Sequence, residues 1–374
     1  MIVIADDITG AAEIAGIAFS RGENVRLVCG CGTVTDGTTV IATDTRSMTE
    51  PEAVAETKRL SSYLSPLTSH LFKKTDSALR GHVVAELTAL MQATGYERAV
   101  YLPANPSKGR IIRNGIYYIN DVPIHETAFS YDPEFPAKTS VLNERFPDAE
   151  AKGIIMPDAE SKEDILRVIA TYDDGKTLFA GAADLFEAYI EVRGIRNATL
   201  CFAEKRVEVR EMTKRQNYSL TSHLSPLTSN NSTLFLCGST QSKPLDLGIP
   251  LAPMPREVYD GSEDLSLWDT SSYAAAHSVI LTMPYTHRTG KEAAVHLRTM
   301  MATKARQLVA EQCPQHLIIE GGATAWTTLQ ALGWTSFTIT AQFAPGVVQM
   351  SATNGTLVTL KPGSYPWGNL FPAV

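Results

Sequence analysis

Apolar residues near the start of the chain come in short runs, set between longer stretches with helical spacing. Ile2-Val3-Ile4 reads as a buried strand, residues 10–20 as an Ala/Ile-rich helix ended by Gly22, and Val25 to Val28 as a returning strand. Together they make one βαβ unit. Thr39 to Ala42 is a further strand. The Leu71-Phe72 run precedes Val83, Val84, Leu87, Leu90 and Met91, whose spacing of i, i+1, i+4, i+7 and i+8 is one face of a helix. Ala99 to Leu102, Ile154 to Met156 and Leu178 to Ala180 continue the series, with helices near 161–171 and after Asp184. Strands alternating with helices predict a mostly parallel sheet with helices on both faces.

From about 206 to 232 the pattern breaks into Ser/Thr/Asn clusters. That composition predicts a linker at 216–232 between domains of residues 1–215 and 233–374. The second domain restarts with the strand Thr233 to Cys237, followed by strands at Val279 to Thr282 and Leu317 to Glu320 and a long helix over 290–311. Phe337 to Thr340, Val347 to Met350 and Leu357 to Leu360 complete it, the last two joined by an Asn354-Gly355 hairpin turn. The expected architecture is two α/β domains, the second smaller with a mixed sheet. Residues 111–147 are a Tyr- and Pro-rich excursion, read as a hairpin with an active-site loop or a dimer arm, which is compatible with a homodimer.

A length of 374 residues allows two full cores, and 44% hydrophobic with 20% charged residues is ordinary for a soluble globular protein. A net charge of −7 without a basic block excludes a nucleic-acid footprint. No apolar run approaches the ~18 residues that span a bilayer, and the start has no basic n-region, so the expectation is a cytoplasmic protein. Five scattered cysteines read as reduced, and the eight histidines form no zinc-ligand spacing, so no dedicated metal site is expected.

In an acidic chain, locally concentrated cations point to an anion. Lys73-Lys74-Thr75-Asp76-Ser77-Ala78-Leu79-Arg80-Gly81 is a strand-to-helix turn, where α/β sheets bind ligands. Arg80 can hold a carboxylate or phosphate with two parallel hydrogen bonds, and Asp76 can accept from a hydroxyl or act as a base. Asp6 and Asp7 follow the first strand, Arg46 follows another, and Lys108 and Arg110 follow a third. The second domain has glycine turns at Gly238-Ser239-x-x-Ser242, Gly321-Gly322-x-Thr324 and Lys361-Pro362-Gly363-Ser364, a pattern that suits a nucleotide's phosphates. No G-x-x-x-x-G-K-[ST], complete G-x-G-x-x-G helix opening or G-x-S-x-G elbow is present, which argues against a P-loop enzyme, a dehydrogenase and an α/β-hydrolase.

Asp6-Asp7-Ile8-Thr9-Gly10-Ala11, Lys74-x-Asp76-Ser77-x-Leu79-Arg80-Gly81 and Pro103-Ala104-Asn105-Pro106-x-x-Gly109-Arg110 resemble motifs of the four-carbon acid sugar kinase family. Gly238-Ser239, Gly321-Gly322-x-Thr324, Ala344-Pro345-Gly346-Val347 and Lys361-x-Gly363 resemble its later motifs in the same order. The resemblance implies an N-terminal acid-sugar domain and a C-terminal ATP domain. It implies transfer of phosphate from ATP, with Mg²⁺ carried on the nucleotide, to the terminal hydroxyl of threonate, erythronate or 3-oxo-tetronate. It assigns Asp6, Asp7, Arg46, Lys74, Asp76, Ser77, Arg80, Gly81 and Arg110 to the sugar acid, with Asp76, Asp7 and Arg80 in catalysis. Ser239, Ser242, Gly321, Gly322, Ala323, Thr324, Gly346 and Gly363 go to ATP. Ala78, Ala323 and Pro362 stand where the family usually has Thr, an acidic residue and Ser, mostly on the nucleotide side. Two alternatives therefore stay open, a catalytically weakened sugar-acid-binding protein and a kinase of another small hydroxy acid or polyol.

Overall fold

In a computed structural model describing residues 1–30, 32, 34, 37–64, 70–132, 134–204, 232–238, 247–363 and 365–371, the short apolar runs become strands of one 14-stranded sheet. From one edge the order is Leu251–Pro253, Ser278–Thr282, Thr233–Cys237, His316–Glu320, Leu357–Lys361, Val347–Ala352 and Ser336–Ala344. It continues with Val25–Cys29, Thr38–Ala42, Ile2–Ala5, Leu71–Lys74, Thr177–Gly181, Arg98–Leu102 and Ile154–Ile155. Every neighbour in the second group is parallel, as are the first five strands. Val347–Ala352 and Ser336–Ala344 run antiparallel and carry the sheet across to Val25–Cys29. All sheet strands of residues 2–181 thus lie on one side of this seam, and those of 233–361 on the other. The expected two α/β halves are present, but their sheets are continuous, because the outer strand of each covers the other's edge. Residues 216–231 of the expected linker lie outside the described residues.

Each half has one point where the strand order reverses. Ile2–Ala5 has Thr38–Ala42 on one side and Leu71–Lys74 on the other, while Thr233–Cys237 lies between Ser278–Thr282 and His316–Glu320. Connections leave such a strand in opposite directions, so a crevice opens at its carboxyl end. The predicted turns after residues 5, 42 and 74 therefore converge, as do those after 237, 320 and 361.

Helix limits follow local chemistry. The first helix starts at Ile8 rather than residue 10, because Asp7 is extended and its side chain accepts from the Gly10 amide as an N-cap. Ser161 and Asp164 form a capping box at the start of Lys162–Tyr172. Val83–Thr94 and Gly322–Leu332 end at Gly95 and Gly333, whose positive φ suits glycine. The 111–147 excursion contains a separate antiparallel sheet of Arg110–Arg113, Ile116–Ile119 and Val122–Pro123, and it folds back over the Asp76–Arg80 turn. Among the described residues no helix is long and apolar enough to cross a membrane.

One of the predicted cations is structural. Lys73 points away from the crevice into the core, where its Nζ lies 2.5 Å from Glu86 Oε2 and both side chains are at most 2% exposed. Thr45 donates to the same oxygen at 2.9 Å. Glu86→Ala leaves a buried ammonium without its counterion and is expected to lose about 3–5 kcal/mol of stability in urea unfolding. The apolar pair Lys73→Met/Glu86→Leu should recover most of that loss, and a single mutant costing less than about 1 kcal/mol would contradict the assignment.

Candidate active site

Three strand ends supply the first crevice. Asp76 sits at its centre and accepts from the Ala78 and Arg80 amides, from Arg80 Nε and Nη2 (both 2.9 Å) and from Arg46 Nη1 (3.2 Å). Burial alone would raise this carboxyl, but Arg80, Arg46 and Lys74 outweigh burial and hold it well below the usual carboxylate range. Arg46 also pairs with Asp7, whose carboxylate receives the Thr9 hydroxyl and the Gly10 amide. Asp7 is likewise pushed up by burial and brought down further by Arg46, Lys74 and these hydrogen bonds. An Arg80–Asp76–Arg46–Asp7 chain therefore ties together the turns after three adjacent strands.

Asp6 differs from its neighbour. It is 1% exposed, its Oδ1 has no hydrogen-bond partner, and burial, with Asp7 adding to it, pushes its carboxyl up to about 6 against Arg46, Lys73 and Lys74. The turn backbone bends to fit around it. Leu79 and Gly81 both have positive φ, and a Cβ at Gly81 would come within 3.3 Å of Asp6 Oδ2.

The excursion fixes this turn from outside. Tyr117 donates to the Ser77 carbonyl, Arg145 to the Leu79 carbonyl (3.1 Å), and Arg110 to the Ser77 hydroxyl. Phe129 lies 5.8 Å from the Arg80 guanidinium and 5.6 Å from that of Arg110, within cation–π range of both. The fork of Arg80 that the sequence offered to a ligand is occupied by Asp76, with its other amino group 3.6 Å from Asp132. Arg110 has no carboxylate partner among the described residues.

These groups line a cavity of about 580 Å³, bounded by Asp7, Gly10, Arg46, Lys74, Asp76, Ser77, Arg80 and Arg110 from the strand ends and by Phe129 and Tyr131 from the excursion. Pro362 and Tyr365 of the second half complete its wall. Glu13, also in the lining, lies between two lysines, 3.7 Å from Lys74 Nζ and 2.5 Å from Lys108 Nζ. Sequence reasoning passed over Glu13, although a lone carboxylate inside the Ala/Ile-rich helix was the available signal. Phe129 and Asp132 fall within the 111–147 excursion read as an active-site loop or dimer arm but were not singled out as site residues, and Tyr365 was not assigned to the site.

In the second half, Cys237, Glu320 and Lys361 are in register at the ends of three adjacent parallel strands, so their glycine turns lie side by side. Gly238 packs on Thr324, where a Cβ would fall 2.1 Å from the hydroxyl oxygen. Gly322 opens the Gly322–Leu332 helix directly against the first half, since its Cβ would lie 2.7 Å from Thr9 Cγ2. Ala323 is in the first turn of that helix and exposed. Lys361 Nζ, 2.5 Å from Glu320, also donates to the Pro362 and Gly363 carbonyls at 3.1 Å and so shapes the third turn. Gly346 lies beside Tyr365. Ser239 and Ser242 lie outside the described residues.

Two protein-family models match the chain, a sugar-binding N-terminal domain over residues 1–148 and a nucleotide-binding C-terminal domain over 270–365. A D-threonate kinase of Salmonella typhimurium is 29% identical over 50% of this chain, which spans about half (52%) of that protein's length. A 3-oxo-tetronate kinase of Brucella melitensis is 25% identical over 97% of this chain and 92% of its own. One from Haemophilus influenzae is 26% identical over 97% and 96%. The fold recurs in a Haemophilus influenzae protein of known structure, with a TM-score of 0.67, 20% identity and coverage of 100% and 98%. It recurs again in one from Salmonella typhimurium, with 0.71, 18%, 99% and 97%. Both halves are thus matched in sequence order, and 3-oxo-tetronate kinases align along nearly the whole length, which indicates the four-carbon acid sugar kinase family.

Proposed function

We propose that this protein is an ATP-dependent kinase that phosphorylates the terminal hydroxyl of a four-carbon sugar acid of the threonate, erythronate or 3-oxo-tetronate type. The observation that carries the reading is the shared cavity, with a cation-rich floor from residues 7–132 and a wall from the glycine-turn half. In this reading residues 1–215 bind the acid and residues 233–374 bind the nucleotide.

Arg110 receives the substrate carboxylate, because the other guanidiniums already hold carboxylates of the protein. Arg46 and Lys74 face the hydroxyls, and Ser77 sets the angle of Arg110. Asp76 serves as the scaffold for Arg46 and Arg80 rather than as the base, since its oxygens are saturated by N–H donors. Asp7, nearer Thr9 and the Gly322 seam, accepts the hydroxyl proton at its carboxylate. A carboxylate of low basicity suffices, because phosphoryl transfer has a loose transition state and depends on alignment and charge neutralisation.

The turns at Gly238, Gly321-Gly322 and Gly363 bring bare backbone to the phosphates, and Thr324 adds a hydroxyl beside Gly238. Among the described residues no three His, Cys, Asp or Glu side chains form a metal cage. Mg²⁺ would arrive on the nucleotide, where it would neutralise phosphate charge and need only one or two protein carboxylates, of the kind that line the cavity at Asp7 and Asp132.

A coupled assay of ADP release across the four-carbon acids, with and without Mg²⁺, should give Mg²⁺-dependent turnover with at least one of them. Calorimetric binding of an acid with no ADP release from any would instead mark a sugar-acid-binding protein. Arg110→Lys should raise the KM for the acid about ten- to a hundred-fold, the cost of a lost charge-assisted hydrogen bond, with a smaller effect on kcat. Arg80→Lys should lower kcat and acid affinity together, by loosening Asp76. Equal KM values for Arg110→Lys and the native enzyme would remove Arg110 from the carboxylate site.

A further inference from the structure

We infer that Tyr365 sets the length of the acceptor this cavity takes, with Lys108 as the positioning residue that holds its ring; the inference rests on the kinase reading above. Among the described residues, Pro362 and Tyr365 are the cavity's lining from the second half. Tyr365 is held on several sides. Lys108 Nζ lies 4.3 Å from the ring centroid and 2.6 Å from the phenol oxygen, and is itself anchored by Glu13 Oε1 at 2.5 Å. Burial works against the Lys108 ammonium, but Glu13 and Tyr365 outweigh it and raise its pKa, so it stays charged over the ring. Behind the ring is Gly346, at φ +79, where a Cβ would fall 2.9 Å from two ring atoms. The segment that follows is seated in the core of its own half, with Trp367 5.3 Å from Phe235 and 5.1 Å from Phe371 between ring centroids.

The orientation follows from the charges. A sugar acid with its carboxylate on Arg110 extends its far end toward the second half, from which the phosphoryl group comes. Additional carbons must therefore be accommodated at the wall that Tyr365 forms. A rigid wall discriminates about 10–200-fold per methylene, and a yielding one much less. Because Tyr365 belongs to the nucleotide half while its anchors Lys108 and Glu13 belong to the other, the gauge is assembled by residues from both.

The test measures kcat/KM by ADP release for straight-chain sugar acids of four, five and six carbons. Tyr365→Ala should raise the five-to-four-carbon ratio at least tenfold. Tyr365→Phe, which keeps the wall, should stay within about threefold of the native ratio. Lys108→Met should shift the ratio in the same direction as Tyr365→Ala but less, and Lys108→Arg should restore it. Circular dichroism checks folding, and Tyr365→Val is read in place of a Tyr365→Ala protein that does not fold. An unchanged ratio in the folded variant, with four-carbon turnover retained or uniformly reduced, overturns the gauge and leaves the kinase reading standing. A native protein that binds ATP and turns over no acid of any length overturns both.

Discussion

Concentrating charge at the carboxyl ends of buried parallel strands carries a desolvation cost, and the way this chain meets it shapes the rest of the site. Asp7, Asp76, Arg46 and Arg80 are largely withdrawn from water, where an unpaired charge is costly, so each is matched to at least one opposite charge. Their network spans the turns after Ile2–Ala5, Thr38–Ala42 and Leu71–Lys74, and strand order alone makes those turns neighbours. Lys73 and Glu86 balance the layer beneath. With the protein's own carboxylates neutralising most of these cations, Arg110 is the guanidinium of the cavity without a carboxylate partner among the described residues, and the proposed reading gives it the incoming anion.

The same economy appears in the second half. Lys361 is buried against Glu320 and uses its remaining donors on two carbonyls of its own turn. Its charge thereby shapes a backbone loop, and in the proposed reading phosphate recognition falls to amides. Close approach of the halves depends on small residues at the contact. A side chain at Gly322 would meet Thr9, one residue from the Gly10 amide that caps on Asp7. The Gly321-Gly322 turn and the Asp7 cap are thus side by side, and in the proposed reading this closeness is what would exclude water from phosphoryl transfer.

Much of this was legible in the chain. The alternation of apolar runs and helical faces foretold a mostly parallel sheet, and Asp6-Asp7, Arg46, Lys74–Arg80 and Arg110 were legible as charged strand ends, but the strand order that makes such ends neighbours was not. The limits were also physical. Sequence shows that Arg80 is a cation at a turn, but not that Asp76 four residues earlier would occupy its fork. Lys73 and Lys74 look equivalent in the chain, and only strand alternation sends one into the core and the other into the cavity. Contacts across the seam, such as Tyr365 with Lys108 or Gly322 with Thr9, join residues more than two hundred positions apart and leave no local pattern.

The account turns on Asp76 being the scaffold of the acid pocket rather than its base, and calorimetric titration of a four-carbon sugar acid into folded Asp76→Asn protein tests this most directly. A neutral amide cannot hold both arginines, so the account predicts that acid affinity falls at least tenfold while ATP affinity is retained. Unchanged acid affinity in a protein that has lost turnover would contradict it and return the proton-accepting role to Asp76.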